Sequence, residues 1–237
     1  MNIALVLSGG VGTRLGEGIP KQYIEVGGKP IITYCLESCV GNEQIDAIQI
    51  VADEDWQDFL KDELKKAGAE SKFHGFSIPG ENRQLSILNG LEDIRQYAQG
   101  EDVVLIHDAA RPLLSTVQID SCLSGIVGHD GVVPVLPMKD TVYYSEDGVA
   151  VTSLLERSCV YAGQAPEAFY LEKYWEANQR LLPDQILTIH GSTEPAIMAG
   201  LDVAMIPGDE GNFKITTAED LARLREIAAR AAKHESI

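Results

Sequence analysis

Apolar residues fall along this chain in two alternating rhythms. Short runs rich in valine, isoleucine and leucine at 2–7, 45–52, 102–106, 132–136 and 203–206 read as buried strands. Between them, over 30–40, 55–67, 82–98 and 115–127, apolar positions return every three or four residues, the spacing of one helical face. Strand and helix alternate, so the chain is expected to be an α/β protein with a mostly parallel sheet covered by helices on both faces. Ligands of such sheets sit beyond the carboxyl ends of the strands, which directs attention to the loops after residues 7, 106 and 136.

Two stretches depart from that rhythm. Val142-Tyr143-Tyr144 and Val149-Ala150-Val151 flank the turn sequence Ser145-Glu146-Asp147-Gly148, predicting a projecting β-hairpin arm over about 139–157. An isolated hairpin is marginally stable, so the arm is expected to pack on a second copy of the chain. Further on, Thr217 with Asp220 three residues later resembles a capping box, and Leu221, Leu224, Ile227 and Ala228 supply the apolar stripe of a last helix. No repeat, low-complexity stretch or long linker divides the 237 residues, which read as one domain.

Charge then narrows the partners. Acidic residues outnumber basic ones 36 to 19, for a formal net charge of −17, and no Lys/Arg block makes a basic face, so nucleic acid is not an expected partner. No apolar run approaches the roughly 20 residues that span a bilayer. The start lacks the basic flank and cleavage site of a signal peptide, so a cytoplasmic protein is expected. Cys35, Cys39, Cys122 and Cys159 lack zinc-site spacing and read as buried thiols. His74, His129, His190 and His234 read as surface or turn residues, and His107 as a structural histidine.

An acidic protein that binds a polyanion must gather its few cations locally. They gather first after the opening strand, where Ser8-Gly9-Gly10-Val11-Gly12-Thr13-Arg14-Leu15-Gly16 leads to Pro20-Lys21-Gln22-Tyr23. Glycines let backbone N–H groups approach a polyphosphate closely, and Arg14 and Lys21 add charge at either end. The Gly-Lys-Ser/Thr ending of a P-loop is missing, as is a clean G-x-G-x-x-G fingerprint. A tight structural turn with a surface Arg and Lys is the bland alternative to a nucleoside triphosphate site.

With this loop come Gly80-Glu81-Asn82-Arg83-Gln84-Leu85-Ser86, His107-Asp108-Ala109-Ala110-Arg111-Pro112, Asp140-Thr141, Gln164-Ala165-Pro166 and Asn212-Phe213-Lys214-Ile215-Thr216-Thr217. In this order, and over nearly the whole chain, they resemble the cytidylyltransferases of the isoprenoid and teichoic-acid pathways. The resemblance implies a Rossmann-like core, a homodimer with an exchanged β-arm, and transfer of a cytidylyl group from CTP to a small polyol phosphate. It puts 2-C-methyl-D-erythritol 4-phosphate first as acceptor, with D-ribitol 5-phosphate as the alternative.

The same resemblance implies the roles. Arg14, Lys21 and Lys214 would be the catalytic cations on the phosphates. Ser8, Gly9, Gly10, Gly12 and Thr13 would hold the triphosphate. Gly80, Glu81, Arg83 and Ser86 would cup the base, and Asp108 would lie near the ribose, the substrate and a Mg²⁺ ion. Arg111, Gln164 and Lys214 would meet the acceptor, with Thr141 and Arg157 reaching it across the dimer. For the turn at 80–86 the alternative is a helix N-cap at Ser77 or Asn82. For Asp108 it is a loop aspartate pairing its own arginine, and for Arg157 a surface charge beside Glu156.

Some positions depart from the pattern. Ala165 stands where the methylerythritol enzymes carry threonine, and Ser192-Thr193-Glu194-Pro195 replaces their Thr-Asp-Asp/Glu stretch. Tyr161-Ala162-Gly163-Gln164 and Ser8-Gly9-Gly10 lean to the ribitol branch, Asp108 to Pro112 to the methylerythritol branch. Two other readings share the glycine loop: a sugar-1-phosphate nucleotidylyltransferase, and a nucleotide-binding protein without turnover.

Overall fold

The computed structural model describes residues 1–10 and 18–234. Its first half runs β1 (Asn2–Leu7), β2 (Glu25–Val26), β3 (Lys29–Pro30), α1 (Ile31–Gly41), β4 (Ala47–Val51), α2 (Glu54–Lys66), β5 (Phe73–Ser77), α3 (Arg83–Ile94), β6 (Val103–Asp108) and α4 (Thr116–Gly125). Then follow β7 (Gly131–Pro137), β8 (Val142–Tyr144), β9 (Ser153–Leu155), β10 (Tyr161–Gly163), β11 (Glu167–Tyr170), α5 (Leu171–Gln179), α6 (Glu194–Met198), β12 (Val203–Pro207) and α7 (Ala218–His234).

In the main sheet β5, β4, β1 and β6 lie side by side and parallel. Next, β11 runs antiparallel between β6 and β7, and β12 pairs parallel with β7. The remaining strand, β10, joins the far end of β7 in antiparallel pairing, Tyr161 opposite Pro137. The sheet is thus mostly parallel, with a short antiparallel insertion that the hydrophobic pattern does not announce. Strands β5, β10 and β11 and helices α5 and α6 fall outside the pattern of apolar runs. Their runs are short, and β5 carries His74 and Gly75 in its middle.

Side chains along a strand alternate between faces, and each face has its own core. Ala4 and Val6 of β1 join Ile32, Cys35, Leu60 and Ile119 beneath α1, α2 and α4. Ile3 and Leu5 join Ile87, Leu91, Phe169 and Tyr174 beneath α3 and α5. The expected helices on both faces are present.

Helix starts carry the caps their sequences specify. Thr217 Oγ1 accepts from the Asp220 amide at 3.2 Å while the Asp220 carboxylate accepts from the Thr217 amide at 2.9 Å, the reciprocal pair of a capping box. Asn82 Oδ1 accepts from the Leu85 amide at 2.8 Å, so Asn82 is indeed the N-cap of α3, and it sets where Arg83 enters the helix.

The arm forms with a different register. Strand β8 pairs with β9, Tyr143 opposite Leu154, so the returning strand is 153–155 and not 149–151. Asp147 Oδ1 accepts from the amides of Val149 and Ala150 at 2.8 and 2.9 Å, which ties those residues into the turn and lengthens the loop. Cys35, Cys39 and Cys122 are buried as expected; Cys159, in the turn after the arm, is exposed, because β10 and its lead-in lie at the surface. Among the described residues no helix is long and apolar enough to cross a membrane.

Candidate active site

Strand β6 ends on Asp108, whose register partner is Leu7 at the end of β1, so its carboxylate arrives where the glycine loop begins. Three cations from separate segments meet it. Arg83 Nε, at the start of α3, is 3.0 Å from Oδ1, and Lys214 Nζ is 2.9 Å from Oδ2. The third, Arg111 Nε, stands 3.8 Å from Oδ2. Burial pushes the Asp108 carboxyl up, but Arg83 and Lys214 overcome it and hold the group well below the usual carboxylate range. Asp108 is therefore charged at neutral pH, and the cluster still carries more positive than negative charge.

These residues line an open hollow of about 180 Å³ together with Gln164, Ala165, Glu167, His190, Ser192 and neighbouring glycines. That is below the roughly 300–1,000 Å³ of sites that enclose a drug-sized ligand, so the hollow suits one end of a reacting pair and not a whole nucleotide. Arg111 is oriented by donating from Nη1 to the Asn212 carbonyl at 2.7 Å, while its buried Nε has no hydrogen-bond partner among the described residues. Gln164 is anchored at both ends of its amide, which donates to the Asp209 carbonyl and accepts from the Asp209 amide, each at 2.9 Å. Gln164 thus shapes the wall by pinning the loop that leads to Lys214. Asn212 adds a second pin, donating to the Ala165 carbonyl at 2.8 Å.

The glycine loop is fastened at its root by its own motif. Gln22 Nε2 donates to the carbonyls of Ser8 and Gly10 at 2.6 and 2.8 Å, and the Ser8 hydroxyl donates to Tyr23 at 2.8 Å. Lys21 Nζ donates to the Ile215 carbonyl at 2.7 Å, placing it one residue along the chain from Lys214. Gly9 packs on the neighbouring loop so tightly that a Cβ would lie 2.6 Å from Pro79. We expect Gly9→Ala to cost about 1–3 kcal/mol of overpacking and lower the melting temperature by about 2–12 °C, measured by scanning calorimetry. Among the described residues nothing lies within 4 Å of a Cβ at Gly10. Gly12, Thr13 and Arg14 lie outside the described residues.

Across from Gly9, the turn at 80–86 is closed by Ser86, whose hydroxyl accepts from the Gly80 amide at 2.9 Å and donates to the Asn82 carbonyl at 2.8 Å. Glu81 is exposed on the same turn. The cap and the binding-turn readings of this segment are compatible, since Asn82 and Ser86 set the shape that the backbone presents.

Thr141 and Arg157 belong to the exposed arm, not to the hollow of their own chain, and Arg157 Nη1 donates to the Lys139 carbonyl at 2.9 Å. His107 is buried beside Asp108 with Nε2 3.0 Å from the Arg111 carbonyl, and burial lowers its pKa to about 4, which keeps it neutral and structural. Two lining residues were not foreseen. His190, exposed as expected of a turn residue, also borders the hollow, and Glu167 brings a second carboxylate. Neither stands in a motif, and only the antiparallel pairing of β11 with β6 carries Glu167 there.

Among the described residues no group of three or more His, Cys, Asp or Glu side chains is placed to hold a metal ion. Both Asp108 oxygens already accept from cations. An Mg²⁺ carried on phosphate oxygens, with Asp108 as a single protein carboxylate, would suit these residues better than a cage built by protein.

A mostly parallel sheet that gathers cations beyond its strand ends, beside a glycine loop, is the architecture of an enzyme acting on nucleotide phosphates. Comparison with known proteins narrows the class. The family model described as IspD, 2-C-methyl-D-erythritol 4-phosphate cytidylyltransferase, matches residues 2–230, and the chain belongs to that family of cytidylyltransferases. Among its relatives is a ribitol-5-phosphate cytidylyltransferase of Vibrio parahaemolyticus, 34% identical over 229 residues, 96% of this chain and 95% of the relative. A 2-C-methyl-D-erythritol 4-phosphate cytidylyltransferase of Clostridium beijerinckii is 34% identical over 219 residues, 92% of this chain and 94% of the relative. The solved 4-diphosphocytidyl-2C-methyl-D-erythritol synthase of Anaerococcus prevotii superposes with a TM-score of 0.82 at 25% identity, covering 96% of this chain and 95% of that one.

Proposed function

We propose that this cytidylyltransferase joins CTP to a small polyol phosphate, releasing pyrophosphate and a CDP-polyol. The observation that carries the reading is the Asp108 clamp, where Arg83 and Lys214 lie 3.0 and 2.9 Å from one carboxylate at the strand ends. An acceptor phosphate monoester has a second pKa of about 6, so it attacks the α-phosphorus without a general base. The task left to the protein is to hold two anions together and offset charge that grows as pyrophosphate leaves. Lys214 and Arg111 suit the acceptor phosphate, Lys21 and Arg14 the triphosphate. Asp108 would hold a Mg²⁺ carried in on CTP, which would neutralise phosphate charge.

Two acceptors are supported by different observations. The description of the matching family model and the Asp108 to Pro112 motif favour 2-C-methyl-D-erythritol 4-phosphate. The wall of the hollow favours D-ribitol 5-phosphate, because Ala165 is its one apolar side chain among the described residues and a branched methyl group has little else to touch. Pyrophosphate release with CTP, Mg²⁺ and each acceptor in parallel separates them, with UTP and dTTP as controls for a sugar-1-phosphate activity. A purified protein that binds CTP calorimetrically and turns over neither acceptor would refute the reading.

The arm supports a homodimer. Tyr143, Tyr144, Val149, Val151, Leu154 and Leu155 are exposed large apolar side chains on one projecting element, an association surface if left uncovered. In a dimer Thr141 and Arg157 would reach the partner's site. Light scattering should give twice the chain mass for the native protein and the single mass for Tyr143→Asp/Leu154→Asp, with activity falling in parallel. A native monomer with full activity would exclude the shared site. CTP is a cytoplasmic metabolite, which supports a cytoplasmic location.

A further inference from the structure

Glu167 has no assigned part in the chemistry above, yet it is a buried carboxylate at the edge of the site. It opens β11 directly opposite Ile106 of β6. Because alternate residues of a strand share a face, Glu167 and Asp108 point to the same side of the sheet as diagonal neighbours. The Ser192 hydroxyl donates to its Oε2, and Thr193 Oγ1 lies 3.4 Å from Oε1.

That turn is itself fixed. The Ser192 carbonyl accepts from the buried Tyr174 hydroxyl at 2.6 Å, and Glu194 Oε2 accepts from the His190 amide at 3.0 Å. Glu194 thus helps to hold the turn. Burial pushes the Glu167 carboxyl up, against the pull of Arg83 and Ser192. Burying such a group is costly unless its lone pairs are used.

An ionised carboxylate accepts about four hydrogen bonds and donates none. The two hydroxyls account for about half of that capacity, and the residue borders the hollow. What fits against it is a ligand bearing donors and no negative charge of its own, which describes the hydroxyls of a polyol chain and not its phosphate. Arg111 and Lys214, which also line the hollow, suit the phosphate.

We propose that Glu167 determines acceptor specificity, its carboxylate accepting hydrogen bonds from hydroxyls of the polyol chain while the cations hold the phosphate. This rests on the cytidylyl-transfer reading. The test measures kcat/KM for a full-length acceptor, ribitol 5-phosphate or methylerythritol phosphate, and for the truncated acceptor glycerol 3-phosphate, each with saturating CTP. In Glu167→Gln the preference for the full-length acceptor falls by about 10- to 100-fold, the range for one lost hydrogen bond to a charged group, and the loss appears in KM more than in kcat. Glu167→Asp, which keeps the charge but draws it back by one methylene, recovers part of that preference. An unchanged ratio overturns the proposal, whether both acceptors lose equally, as for a merely structural carboxylate, or neither loses. Should Glu167→Gln not fold, the aspartate variant alone decides by the same ratio. Wild-type protein silent with every polyol phosphate would instead remove the cytidylyl-transfer reading, and the proposal with it.

Discussion

Lys214→Ala is expected to lower kcat for pyrophosphate release by about 100- to 1,000-fold, the cost of removing one preorganised donor from a developing phosphate charge. The lysine reaches the site from the segment before α7 and touches the Asp108 carboxylate at 2.9 Å, with its side chain still 35% exposed. A cation held in place yet open on one side can reach a second anion without reorganising. Its removal leaves Asp108 paired with Arg83, so the fold keeps its main ion pair and the melting temperature moves little. Lys214→Arg should restore only part of the rate, because a planar fork does not occupy the space of a compact ammonium. Lys139, an exposed lysine paired with Glu210, is the control, and its alanine variant should stay within about threefold of native. Stopped-flow or coupled pyrophosphate assays check this, and a Lys214→Ala enzyme within threefold of native would remove Lys214 from the catalytic role.

Asp108→Asn should affect both stability and turnover. The substitution keeps the shape and removes the anion, leaving Arg83, Arg111 and Lys214 to repel one another around a buried amide. Breaking a buried ion pair from one side costs about 3–5 kcal/mol, which for a chain of this size lowers the melting temperature by about 6–20 °C. The pH dependence has a definite sign. Because Arg83 and Lys214 hold the folded-state pKa of Asp108 below its unfolded value near 3.9, its contribution is complete above that value and is lost as pH falls through the folded pKa. Native protein should therefore lose stability more steeply than Asp108→Asn below about pH 4. Melting curves over pH 2–7 test this, and parallel acid limbs for the two proteins would show that the clamp adds nothing.

Much of this site can be read from residue order. The run from Asn2 to Leu7 has no use except as a buried strand, and Ser8-Gly9-Gly10 after it marks a loop where a backbone comes close to something; in the fold that something includes Pro79. Asp108, Arg111 and Lys214, which stand in two separate sequence motifs, line one hollow. Gln22 and Tyr23 stand beside the loop in sequence, but their work in fastening Ser8 and Gly10 depends on the chain turning back on itself.

Other features had no local signature. Thr141 and Arg157 stand apart from the hollow of their own chain, and a motif cannot say which copy's site a side chain serves. The arm's register shifted because the Asp147 carboxylate captured two amides that an alternating pattern assigns to a strand. Alternation of β and α, the caps at Asn82 and Thr217, and the type of each charged residue are local properties, decided by neighbours a few positions away. Which charges meet is not local: Arg83, Asp108, Glu167 and Lys214 lie tens of residues apart, and strand pairing of β11 with β6, the start of α3 and the loop before α7 bring them within reach of one another. Coulomb energy depends on distance in space, so the sequence supplies the charges and the tertiary fold decides what they do.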